Sequence, residues 1–219
     1  MEQLEVDRSP IGILRRRTQF FVWYLLARAH STKIARLLPI VEKSFEHPWV
    51  AGVELGIRFW PGHASLARLR AWNRHHLPRP PMHWDAPVTV SVFRKRRGKR
   101  RQALCMSFYL VKSSLYIKQL QGVSGTDAPK EIRFWPKLFM EACRVFVRQE
   151  QLKEVKVPRA DALYSYRNPF FNPQLLPEAR ERAVERIRRN MELLYDANAL
   201  ALGFVPDGAW FKWENPDSL

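Results

Sequence analysis

Val88-Thr89-Val90-Ser91-Val92-Phe93, Ala103-Leu104-Cys105-Met106-Ser107-Phe108-Tyr109-Leu110 and Ser114-Leu115-Tyr116-Ile117-Lys118-Gln119-Leu120 follow one another closely. Each is rich in β-branched and aromatic residues at strand spacing, so the three predict a meander. Between the first two lies Arg94-Lys95-Arg96-Arg97-Gly98-Lys99-Arg100-Arg101, which predicts a hairpin with a basic tip. The third strand enters a loop, Gln121 to Pro129, and a helix follows Pro136. There Leu138, Phe139, Ala142, Val145 and Phe146 form the expected inward stripe, with Lys137, Glu141, Arg144 and Arg148 outward.

Further along, Val155-Lys156-Val157 predicts a fourth strand, and Arg180 to Leu202 a long helix with Ala183, Ile187, Met191, Leu194 and Ala201 on one face. Gly203 stands where a C-cap glycine belongs. Phe204-Val205, the Pro206-Asp207-Gly208 turn and Trp210-Phe211-Lys212-Trp213 predict a closing hairpin. A meander followed by strand, helix, strand, helix and hairpin makes an α/β (α+β) domain with a mixed central sheet.

Towards the N-terminus, Ser9-Pro10 is an N-cap with proline at the first helical position, and apolar residues keep helical spacing to Phe45. Arg15, Arg16, Arg17, Arg28 and Lys33 accompany them. This region reads either as a helical annex on the core or as a peripheral anchor on an anionic membrane. Arg15 to Ala29 also imitates a leader peptide, but Glu2, Glu5 and Asp7 and the Arg28 inside the would-be cleavage motif oppose that reading. Residues 46 to 87, broken by His47-Pro48, Trp60-Pro61-Gly62 and the Pro78 to Pro87 stretch, are expected to be irregular. The organisation expected is therefore an N-terminal helical and irregular region, 1–84, packed on an α/β domain, 85–219.

With 219 residues, 46% hydrophobic and 12% aromatic, the chain carries enough apolar surface for one sizeable core and is no disordered polyelectrolyte. Lysine and arginine number 37 against 21 acids, a net charge of +16 that calls for an anionic partner: nucleic acid, an acidic membrane surface or an acidic carrier protein. Cys105 and Cys143 sit in apolar runs and read as buried free thiols. No apolar stretch reaches the ~20 residues of a spanning helix. The six histidines form no metal or hydrolase motif, so no metal is expected.

Two places can carry chemistry. The seven cations among eight residues at 94–101 are a partner-binding candidate (Arg94, Lys95, Arg96, Arg97, Lys99, Arg100, Arg101), because like charges on one turn repel unless an anion joins them. The strand-to-helix loop after Gln121 is either a plain turn or a phosphate or pantetheine cradle, with Gly122, Gly125, Lys130 and Arg133 contributing. It is no Walker loop. Asp161, Tyr164 and Tyr166 follow the fourth strand, where many α/β sites lie, and Tyr195-Asp196 sits on the late helix beside its apolar stripe. These read either as ordinary polar caps and helix surface or as a general base or acid near the sheet's split.

Leu115-Tyr116-Ile117-Lys118-Gln119-Leu120-Gln121-Gly122, then Tyr164 and Tyr195-Asp196, resemble the VirK/YbjX family of bacterial proteins over roughly residues 85 to 214. Position 162 is Ala where that family tends to be polar. The order of elements also resembles the GNAT acyltransferase fold, although its loop pattern is not met, since the glycines after Gln121 fall at 122 and 125. The resemblance implies a GNAT-like acyltransferase using acyl-CoA or an acyl-carrier protein as donor, with no tightly bound cofactor. Gln119, Gln121, Gly122, Gly125, Lys130 and Arg133 would then hold the donor, and Asp161, Tyr164 and Asp196 would handle the proton. Such an enzyme is expected in the cytoplasm, peripheral at the inner membrane. The alternative is a non-enzymatic basic module that binds nucleic acid or anionic membrane.

Overall fold

The structure is a computed structural model that describes residues 31–45, 53–59, 86, 88–96, 99–122, 134–169 and 176–218, with Thr18, Val22 and Leu25. The meander forms as the sequence predicts: β2 (Val88–Arg96), β3 (Lys99–Val111) and β4 (Ser114–Gly122) pair antiparallel in order. Val90, Met106 and Leu120 lie side by side across them, as do Val88, Phe108 and Ile117. All six are buried, because they share the sheet face that the helix α3 (Trp135–Gln149) covers.

Two strands depart from the expected reading. Val53–Phe59, expected to be irregular, is a strand, β1, paired antiparallel with β2 from Val53↔Arg94 to Phe59↔Val88. The sheet therefore begins before residue 85. In addition, β4 runs through Gln121 and Gly122, which were expected in the loop; Gly122 pairs with Leu104. After α3 come β5 (Glu154–Pro158), a 3₁₀ turn (Ala160–Ala162), the short helix α4 (Tyr164–Arg167) and the long helix α5 (Pro177–Glu192). A π-helical turn (Leu193–Ala197) and α6 (Asn198–Ala201) continue α5, and β6 (Val205–Asp207) and β7 (Trp210–Glu214) close the described chain. The strand order is β1-β2-β3-β4-β5-β7-β6. Among the described strands only β4 and β5 run parallel, so the sheet is mixed and the protein is α+β.

Helix α3 buries Phe139, Met140, Ala142, Cys143, Phe146 and Val147. The expected stripe is thus rotated, with Leu138 and Val145 at its half-buried margins. Of two earlier helices, α1 (Ser31–Ala35) and α2 (Leu37–Phe45), the second packs on it and the first packs on the second. They are separate because Pro39 has no N–H to bond the Ala35 carbonyl, and a turn at Arg36 takes up the mismatch. Ile34, Leu37, Val41 and Phe45 join the common core, and the Phe45 ring meets Phe139 at 5.0 Å. Each such burial removes roughly 1.5–3 kcal/mol of apolar exposure. Residues 31–45 thus contribute to the common core, and the Arg15–Arg17 cluster lies outside the described residues. Among those residues no helix is long and apolar enough to cross a membrane.

On the late helix, Ala183, Ile187, Met191 and Leu194 are half-buried as expected, but Ala201 is exposed. The π turn holds an extra residue and advances the buried face to Tyr195 and Ala199. Gly203 ends the helix at φ +76°, the left-handed conformation its position demands.

Candidate functional site

The site is an opening in the sheet. β4 and β5 pair at Ser114↔Glu154, Leu115↔Val155 and Tyr116↔Lys156, and there the ladder stops while both strands run on. The closed end is clamped: Ser114 Oγ donates to Glu154 Oε1 at 2.6 Å, and the Lys153 amide donates to the Ser113 carbonyl. Beyond it β4 is bulged. Phe108 faces Ile117 but Ser107 faces Gln119, so Lys118 is the extra residue. A bulge bends its strand and shifts which residues face inward. Here inward positions pass from Leu115 and Ile117 to Leu120, and the bend turns β4 away from β5.

The divided strands are bridged by two consecutive residues of the π turn. Tyr195, 4% exposed, accepts the Leu120 amide at its hydroxyl (2.9 Å) and donates to the Leu120 carbonyl (3.1 Å). Asp196 Oδ1 accepts the Ala160 amide at 2.8 Å, just past β5. Burial raises the Asp196 carboxyl above the ordinary aspartate value, partly countered by that amide; Asp161 pushes the same way as burial and Arg159 against it. A half-buried carboxylate made more basic by its surroundings is a plausible proton acceptor in chemical terms.

Of the predicted acid–base residues, Asp161 and Asp196 come together at the turn after β5. Asp161 is exposed and ion-paired with Arg159 at 2.9 Å. Tyr164 begins α4 close by, its side chain lying outside the described residues. Tyr166, on the same helix, instead donates to Glu192 Oε1 at 2.6 Å, under the Arg188 guanidinium. That pair belongs to an open groove of about 700 Å³ along α5, lined by exposed helix-surface acids and bases. The groove holds no buried reactive group, so the opening between β4 and β5 is the better site.

Of the predicted donor-binding residues, Gln119 and Gln121 lie on the open edge of β4, where Gln119 Nε2 donates to Gln121 Oε1 at 3.0 Å. Gln119 Oε1 is buried without a partner, an acceptor that an N–H of a bound molecule would satisfy. A Cβ on Gly122 would meet Leu104 and Trp135 at an ordinary 3.6 Å, so no close approach demands glycine there. Gly125, Lys130 and Arg133 lie outside the described residues.

The basic stretch forms strand arms. Arg94 faces Arg101, Lys95 faces Arg100 and Arg96 faces Lys99, with Arg97 outside the described residues. Among the described residues the β1–β2 ladder runs no further than Val53↔Arg94 and the β3–β4 ladder no further than Leu104↔Gly122, so these cationic pairs lie at the end of the sheet where β4 leaves the opening. The cations and the opening thus share one end of the molecule. At the other end of β3, Tyr109 and Tyr116 stack at 4.9 Å, Trp210 meets Tyr116 edge-on, and Lys118 and Lys156 stand over these rings. Burial, helped by Tyr116, pushes Tyr109 up to about 12, so it stays protonated.

Tyr195 and Asp196 were named together from the sequence as acid–base candidates; what that reading did not give is the Tyr195 bridge to Leu120. The signal was a tyrosine inside an apolar helical stripe, since a buried tyrosine hydroxyl needs a partner. Cys105 and Cys143 are buried free thiols; burial pushes the Cys143 thiol up, which rules out a ready nucleophile. Among the described residues no group of three His, Cys, Asp or Glu could hold a metal, and all six histidines lie outside them.

No protein-family model matches the chain, and no curated protein matches it.

Proposed function

We propose that the protein is a GNAT-like acyltransferase, related to the VirK/YbjX family, whose thioester donor threads the opening between β4 and β5. The observation that carries this reading is the parallel β4–β5 pair that ends after three residue pairs beside a bulge. An unpaired strand edge takes an extended, amide-bearing chain by strand addition, and a pantetheine arm is such a chain. The orphaned Gln119 Oε1 supplies an acceptor for one of its N–H groups. The acceptor's amine or hydroxyl adds to the thioester carbonyl, the carbon–sulfur bond breaks, and the acyl group passes to the acceptor. Asp196 takes the acceptor's proton, which then returns to the departing thiolate.

The cationic ribbon favours a donor arriving on an acidic carrier protein, since a small cofactor needs only a local patch. We place the reaction in the cytoplasm, with the anionic face of the inner membrane as a second seat for the same cations. One observation favours a different reading: like charges set opposite each other in three consecutive pairs suit a non-enzymatic module that grips a polyanion.

Thermal unfolding at fixed moderate salt, with CoA, acyl-CoA, an acyl-carrier protein and a short oligonucleotide in parallel, separates the two. A thioester ligand should raise the midpoint in a concentration-dependent way, and Gln119→Leu should weaken that shift while Arg96→Ser/Lys99→Ser leaves the CoA response. A shift with the oligonucleotide alone, abolished by the ribbon variant, would sink the acyltransferase reading and leave the binding module.

A further inference from the structure

We infer that Tyr195 is a latch that occupies the donor's own hydrogen-bonding position on β4 until the donor displaces it; this rests on the acyltransferase reading above. In an antiparallel ladder, one residue exchanges both an N–H and a C=O bond with the residue opposite. Leu120 exchanges both of its bonds with a single tyrosine hydroxyl, at 2.9 and 3.1 Å. An extended arm lying along β4 and carrying two secondary amides would make the same pair of bonds, the C=O of one amide accepting the Leu120 N–H and the N–H of the other donating to the Leu120 carbonyl. The hydroxyl therefore satisfies, from within the chain, the backbone groups such an arm would use, and both cannot hold Leu120 together.

The element that carries the hydroxyl is suited to letting go. Tyr195 stands in the π turn Leu193–Ala197, between α5 and α6, rather than in regular helix. A π turn holds one residue more than the α-helical turn it replaces, so its residues have a second, α-helical phase available. Leu193 is 56% exposed, so the turn's outer side is not packed against the core. Because Asp196 in the same turn binds the Ala160 amide, movement of the turn acts on both sides of the opening at once. Without a ligand, the tyrosine keeps a strand edge covered that would otherwise invite pairing with another chain.

The test uses the full chain with CoA and with pantetheine. Tyr195→Phe keeps the ring and deletes the hydroxyl, leaving both Leu120 groups unsatisfied in the free protein. Its unfolding midpoint should fall, while its affinity for either ligand should tighten about 10-fold, because the ligand no longer displaces a competing bond. A midpoint that falls with affinity unchanged or weakened overturns the latch and leaves the donor site standing. No binding by either form overturns the latch and the acyltransferase reading together. Should the variant fail to fold, amide hydrogen exchange on the unaltered chain gives the answer. With saturating CoA, residues 193–197 should lose protection while the Leu120 amide keeps it; protection gained at 193–197 overturns the proposal.

Discussion

Exchanging charges along one arm of the β2–β3 ribbon separates a solvated basic hairpin from one kept basic for a partner. Lys99 faces Arg96 and Arg100 faces Lys95, so Lys99→Glu/Arg100→Glu turns two repulsive cross-strand pairs into attractive ones. Opposed residues stand about 5.5 Å apart, where two unit charges in a water-like medium interact by roughly 0.8 kcal/mol. Measured cross-strand charge pairs fall between roughly 0.2 and 1 kcal/mol, in agreement. Each pair swings by twice that amount when its sign is reversed, so two pairs should stabilise the protein by about 3 kcal/mol at low salt. For a chain of this size each kcal/mol moves the melting temperature by roughly 2–4 °C, so a rise of about 6–12 °C is expected. Differential scanning calorimetry at several salt concentrations is the assay. The unaltered protein should gain stability as salt screens its like charges, the variant should gain less, and any salt-sensitive anion binding should vanish in the variant. If the variant melts lower, or both forms respond to salt alike, the ribbon's charges are already balanced within the chain and no anionic partner is needed to explain them.

Four further expectations can be checked on purified protein. Phe139→Ala, which empties the space between Phe45 and Trp135, should cost about 3–5 kcal/mol in chemical denaturation and loosen the α1–α2 annex first. Gly203→Ala forces a side chain into the left-handed region and should cost about 1–2 kcal/mol by the same measurement. Asp196 titrates above its ordinary value in the folded state, so its contribution is full below the unfolded-state pKa and is lost as pH rises through the folded one. Asp196→Asn, which retains an acceptor for Ala160, should flatten that decline in a pH series of melts, whereas Asp196→Ala should lower stability at every pH. Cys143 should react with a thiol reagent no faster than the core opens; fast labelling of the native state would contradict its burial.

Much of the fold was legible because it is written in periodicity. The meander, α3, β5 and the closing hairpin all follow from spacing and turn residues. β1 was legible too and was passed over: Val53, Leu55, Ile57 and Phe59 alternate with Glu54, Gly56 and Arg58, but the prolines at 48 and 61 drew the eye to breakage. The rotated stripe of α3 and the exposed Ala201 have another cause. Which side of an amphipathic helix is most buried depends on what covers it, and the phase of a helix after a π turn depends on a residue count that no local propensity reveals.

The site was legible only in its parts. Gln119 and Gln121 came with the resemblance, Asp161 and Asp196 with residue type and place in the chain; in the structure the glutamines stand on β4 and the aspartates at the turn past β5. What joins them is the bulge at Lys118 and the π turn at Tyr195, each one residue more than its regular element holds. The extra residue in β4 bends the strand out of its ladder, and the extra residue in the helix supplies a hydroxyl and a carboxylate at consecutive positions. Each irregularity by itself would leave polar groups unpaired: the bulge frees the Leu120 amide and carbonyl, and the π turn buries a phenol. Together they satisfy one another, since the phenol bonds both Leu120 groups and the carboxylate takes the Ala160 amide. A protein with no use for the opening could remove both insertions and continue the β4–β5 ladder, keeping every backbone bond. That this chain keeps both, with the opening bridged among the described residues by the side chains of Tyr195 and Asp196, is the physical reason for reading the gap as a place where another molecule binds.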